Sequence, residues 1–74
     1  VSLKYVAIEF RNAFEIRVVS RHKSAGAARK SAAKHGLNTE LNVLKLHTGE
    51  VPGVGDTMPR AELKERFRSV PPTE

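Results

Sequence analysis

An α+β fold in the order ββαβα, a small three-stranded, mostly antiparallel sheet with one packed helix, is what this 74-residue sequence predicts. Three observations carry the prediction. Two segments near the N-terminus alternate apolar and polar residues at the period of a half-buried strand. An alanine-rich run between a serine and a glycine has the composition and the ends of a helix. A third short apolar segment and a last helical one complete the order.

In the first strand, Lys4 to Phe10, the even positions Val6, Ile8 and Phe10 are apolar. In the second, Phe14 to Ser20, Phe14, Ile16 and Val18 repeat the pattern. For both sets to share a face, residues of equal parity must pair, so a three-residue loop of Arg11, Asn12 and Ala13 is predicted. The register is then Phe10 with Phe14, Ile8 with Ile16 and Val6 with Val18, and Asn12 is the residue suited to a positive φ.

Ser24 to His35 reads as a helix, with Ser24 as N-cap and Gly36 as a left-handed C-cap. Ala25, Ala28 and Ala32 share one side, His35 stands at its edge, and Lys30 and Lys34 project opposite. Alanine buries little area, so the helix is expected to lie close to the sheet, with Phe10, Phe14, Ile8 and Ile16 supplying the bulk. Leu41 to His47 is the third strand. With Leu44 and Leu46 in the core, Val43 falls on the far face near Tyr5, Ala7 and Val19, as a modest apolar patch. Thr48 to Thr57, rich in glycine, is a loop. Pro59 to Ser69 is a second helix, with Leu63 and Phe67 four apart and Glu62 and Arg66 in the favourable i,i+4 order. One domain over residues 1–70 and a disordered tail over 71–74 follow.

A chain of this size buries only about 60% of its unfolded surface, and its stability is roughly 4 to 11 kcal/mol. Cysteine is absent, so no disulfide or thiolate zinc site reinforces it. No long apolar run suggests a signal peptide or membrane span, and a cytoplasmic protein without membrane contact is expected.

The charge is unevenly placed. Between Ile16 and Thr39 stand six cations, Arg17, Arg21, Lys23, Arg29, Lys30 and Lys34, and no acid, whereas the other fifty residues hold seven basic and eight acidic side chains. A concentrated positive field attracts phosphate or carboxylate arrays. The helix start adds to this: the N–H groups near Gly26, the positive dipole end, the Ser24 hydroxyl, and Arg21, Lys23 and Arg29 close by would fit a phosphate. The plainer reading is that Ser24 only caps the helix and the charges are solvated. Arg17 and Arg21 point away from the core while Lys30 and Lys34 leave the outer helix side, so one shared patch is not assured by spacing. Aromatic support is thin, because Phe10 and Phe14 are read as core and only Tyr5 is placed for stacking.

No enzyme is indicated. His22, His35 and His47 lie on different elements without ligand spacing, so no metal is expected. The glycine loop matches neither a Walker A nor a dinucleotide fingerprint, and no cofactor follows from it. No serine, histidine and acid stand in a recognisable order, and Glu9 with Glu15 read as exposed cross-strand neighbours.

In size and layout the chain resembles small accessory proteins of phages and mobile elements, some inhibitors of host defence among them, though no motif carries residues over. Two functions remain. One is a non-enzymatic module that binds nucleic acid or another polyanion, such as an acidic protein surface, through Arg17, Arg21, Lys23, Ser24, Gly26, Arg29, Lys30 and Lys34. The other is a protein-interaction module, possible as a homodimer, that uses Tyr5, Val19 and Val43 on the sheet or Leu63 and Phe67 on the C-terminal helix.

Overall fold

The computed structural model describes residues 3–71. The strands are β1 (Tyr5–Phe10), β2 (Glu15–His22), β3 (Val43–Leu46), β4 (Thr57–Pro59) and β5 (Phe67–Ser69), and the helices are α1 (Ala25–Lys34) and α2 (Arg60–Arg66). All strand pairs are antiparallel, in the order β4-β2-β1-β3-β5. The expected three-stranded sheet is therefore corrected to a curled sheet of five strands with two helices, still α+β. The predicted tail lies outside the described residues apart from Pro71.

The two additional strands come from segments read as loop end and helix. Each has three residues and buries one side chain, Met58 in β4 and Phe67 in β5, too few to show an alternation. The second helix is correspondingly short. Phe67 is extended, at φ −122 and ψ 157, and ends it after seven residues.

β4, α2 and β5 are continuous in sequence but stand on opposite edges of the sheet, so α2 crosses one face as a strap. Seven helical residues span roughly 10 Å, whereas four interstrand spacings in a flat sheet measure about 19 Å. The short strap therefore requires the curl. Beneath it lies the main core: Val6, Ile8, Ile16 and Val18 with Met58, Leu63 and Phe67, flanked by Leu44, Leu46 and Val51.

α1 packs on the other face, which corrects the expectation that it would cover Ile8 and Ile16. Its Ala28 and Ala32 meet Ala7 and Val43, with Tyr5, Leu37 and Val70 at the rim. Small residues on both sides allow close approach, which is why an alanine stripe suits a face whose strand residues include Ala7. Both faces of the sheet are thus covered, and the apolar patch expected around Val43 is buried under α1.

The β1–β2 register also differs from the prediction. Phe10 partners Ile16 and Ile8 partners Val18, then the register shifts and Ala7 partners Ser20. Val19 is the extra residue, a β-bulge. Without it Ser20 and His22 would share the parity of Ile16 and Val18 and enter the apolar core; with it they turn to the α1 side. There Ser20 Oγ shares hydrogen bonds of 2.7 Å with Ser31 Oγ of α1 and with His22 Nε2. Satisfying polar groups at this seam is a physical reason for the bulge.

The shifted pairing moves Phe14 out of the strand into the turn. No non-glycine residue among those described has a positive φ, so Asn12 does not serve as expected; its Oδ1 instead accepts from the Phe14 N–H at 2.8 Å. The α1 ends agree with their prediction. Ser24 Oγ accepts from the Ala27 N–H at 3.3 Å. Gly36, at φ 73, lets its N–H reach the Ala33 carbonyl at 3.1 Å and that of Leu37 the Ala32 carbonyl at 2.8 Å.

Both sheet edges are short, and each is partly blocked. Pro59 removes a donor from β4. On β5, Arg68 folds back, its Nη1 donating to the carbonyls of Lys64 and Phe67 at 2.9 and 3.1 Å.

Candidate polyanion interface

The acid-free segment is divided by the fold. Arg17 lies on the α1 side of β2 opposite Glu9, and the two form an ion pair. Glu9 and Glu15 are accordingly not cross-strand neighbours; Glu15 sits 3.5 Å from Arg11. Arg21, past the bulge, partners Val6 and falls by alternation on the face away from α1. Arg29, on the flank of α1, donates from Nη2 to the Pro71 carbonyl at 2.8 Å and ties the helix to the C-terminal segment. These three cations do not converge with the rest.

Lys23, Ser24, Gly26, Lys30 and Lys34 do share one element. Lys23 and Ser24 precede α1, and Gly26, Lys30 and Lys34 lie on it; all five are exposed. Ala25, Ala28 and Ala32 are the buried residues of α1, so at about 100° per residue Lys30 and Lys34 point directly away from the sheet. No ion pair of Lys23, Lys30 or Lys34 occurs among the described residues, and α1 has no acid in its sequence. The acids Glu62 and Glu65 belong instead to α2, across the sheet, where Glu62 holds Arg66 at 3.2 Å. Gly26 has open space around it, so no close backbone approach explains a glycine there.

The surfaces of the alternative reading are largely interior. Val43, Leu63 and Phe67 are core residues, and Tyr5 and Val19 are half-buried. α1 covers the first set and α2 turns the second inward. The expected commitment of Phe10 and Phe14 to the core fails in the opposite direction: they are 43% and 82% exposed. Sequence periodicity could not show this, because it does not fix the length of the turn: Phe10 pairs with Ile16 rather than with Phe14, which leaves Phe14 outside the strand.

His22 has a displaced acidity. Burial at the α1–β2 seam holds its ring below the ordinary value near 6.5. Its partner is Ser20 on the same strand, which in turn bonds Ser31 of α1, and no carboxylate is bonded to the ring among the described residues. The sign follows: the unfolded chain takes up this proton before the folded one, so stability should fall as pH drops below about 6.5 and level off beneath the folded-state value. Urea midpoints measured across pH 5 to 7.5 check this, and His22→Gln should flatten that interval. A variant with an unchanged slope would assign the effect elsewhere.

Comparison with protein-family models, curated proteins and solved structures returns no match. Among the described residues no helix is long and apolar enough to cross a membrane.

Proposed function

We propose that this protein is a non-enzymatic binding module whose outward α1 ridge, Lys23, Lys30 and Lys34 with Ser24 and Gly26 at its start, contacts the phosphate backbone of nucleic acid. The observation that carries the reading is the exposure of these three lysines on and beside an acid-free helix, with no ion pair to an acid among the described residues. Lys30 and Lys34 are one helical turn apart, about 6 Å along the axis, and compact ammonium groups suit phosphate oxygens better than base edges. The helix dipole, positive at the Ser24 end, adds to the attraction. Chemistry is not part of the reading, and a cytoplasmic location, where nucleic acid is within reach, belongs to it.

Three phosphate contacts correspond to a log–log salt slope of about −2 to −3 on duplex DNA. The double substitution Lys30→Glu with Lys34→Glu should lower affinity steeply at low salt and reduce the slope by about 2. Both lysines are exposed, so the fold should survive, which circular dichroism verifies. Binding that is indifferent to the substitutions and to salt would reject this surface.

A further inference from the structure

We propose that the tip of the β1–β2 hairpin is a stacking site for an unpaired base of a single-stranded nucleic acid, with the Phe14 ring as its platform. The proposal rests on the polyanion reading above and adds to it the kind of strand that is bound.

Phe14 is 82% exposed, yet the backbone carrying it is fixed from both sides. Its N–H donates to Asn12 Oδ1 at 2.8 Å, and its carbonyl accepts from the Arg60 N–H at 2.9 Å. An aromatic ring is therefore held in water on an anchored turn. Its exposed face is therefore available to a planar ligand.

The surroundings define what fits. Arg60 lays its guanidinium 4.8 Å from the centroid of Phe10, which is itself 43% exposed, and its Nη1 donates to the Ala13 carbonyl at 3.4 Å. No ion pair of Arg60 with an acid occurs among the described residues. Arg11 stands on the loop itself, with its side chain half exposed and its contact to Glu15 at 3.5 Å. Nucleic-acid bases stack on aromatic faces and guanidinium planes, and arginines beside them meet the phosphates. An aromatic anchor for a protein partner sits instead in a pocket that excludes water. Here the ring is exposed on a turn that also carries Arg11 and is bonded to the backbone of Arg60, which favours a base. In a duplex the base faces are covered by their neighbours, so the ring selects unpaired strand.

The C-terminal end of the ridge and the hairpin end of the sheet border one cleft. His35, at the C-terminal end of α1, lines the same cleft as Glu9 and Arg17 near the hairpin end of the sheet. The molecule is 28 Å in its longest extent, a length that a strand of about ten nucleotides can follow.

The test uses three probes with the full chain: a ten-nucleotide single-stranded DNA of mixed sequence, the corresponding duplex, and inorganic polyphosphate. Phe14→Ala should weaken the single strand about five- to a hundredfold and leave duplex and polyphosphate unchanged. The chain has no tryptophan, so Phe14→Trp places a single reporter at the tip. Its emission should be quenched by the single strand and not by polyphosphate. Equal affinity of Phe14→Ala and wild type for the single strand, or an unquenched Trp in a bound complex, overturns the stacking site while leaving the ridge intact. Absence of wild-type binding to all three probes removes the underlying reading, and the stacking site falls with it.

Discussion

Replacing Phe67 by alanine is expected to cost about 3–5 kcal/mol, most or all of the stability at the lower end of the range for a chain of this size. Phe67 is 3% exposed, belongs to the main core, and stands where α2 gives way to β5. Its backbone N–H donates to the Leu63 carbonyl, and its partner across the edge is Leu46. Truncation would leave a void between the strap and the sheet, and the strap holds both sheet edges. Each kcal/mol lowers the melting temperature by roughly 4–8 °C in a domain this small. Phe67→Leu, which keeps most of the apolar volume, should recover much of the loss. A thermal melt in which Phe67→Ala shifts no more than an exposed alanine substitution would mean that the strap is not a stabilising element.

Ala28→Leu is the second large effect, by the opposite route. Ala28 is fully buried between α1 and the sheet against a face that includes Ala7 and Val43. A leucine there must push the helix away, at about 1–3 kcal/mol or more. Displacing α1 also disturbs the Ser20–Ser31 hydrogen bond, which adds to the cost. Tyr5, the one tyrosine of the chain, packs at the rim of this cluster, so its near-ultraviolet signal should change. Ala33→Leu on the exposed side of α1 is the control, expected within about 0.5 kcal/mol of wild type. Equal effects at the two positions would contradict the seating of the helix described here.

Local signals were legible in the sequence, and tertiary ones were not. The α1 cap at Ser24, the turn at Gly36 and the periods of β1 and β2 follow from short-range chemistry and stand where expected. Which face α1 would cover was not legible, because an even set of Val and Ile looks like the natural seat for any helix, while Ala7 alone hardly marks a face. The strap resolves this by claiming the bulky face for Met58, Leu63 and Phe67. Val19 carries no mark of a bulge, yet that single residue moves Ser20 to the helix, and the longer turn that pairs Phe10 with Ile16 leaves Phe14 in solvent. The six-cation run was visible as composition. Its partition was not, since the Glu9–Arg17 contact depends on register and the Arg29–Pro71 bond joins residues far apart in sequence.

The strap also has a temporal consequence. β1, β2 and α1 are local and can pair early, but β4 must find β2, and β5 must find β3, across long loops of chain. During synthesis from the N-terminus, the side of the sheet that carries Val6, Ile8, Ile16 and Val18 stays bare until Phe67 emerges. A chain in which residues 57–69 have not yet docked therefore exposes this face, and exposed apolar surface of that kind favours aggregation.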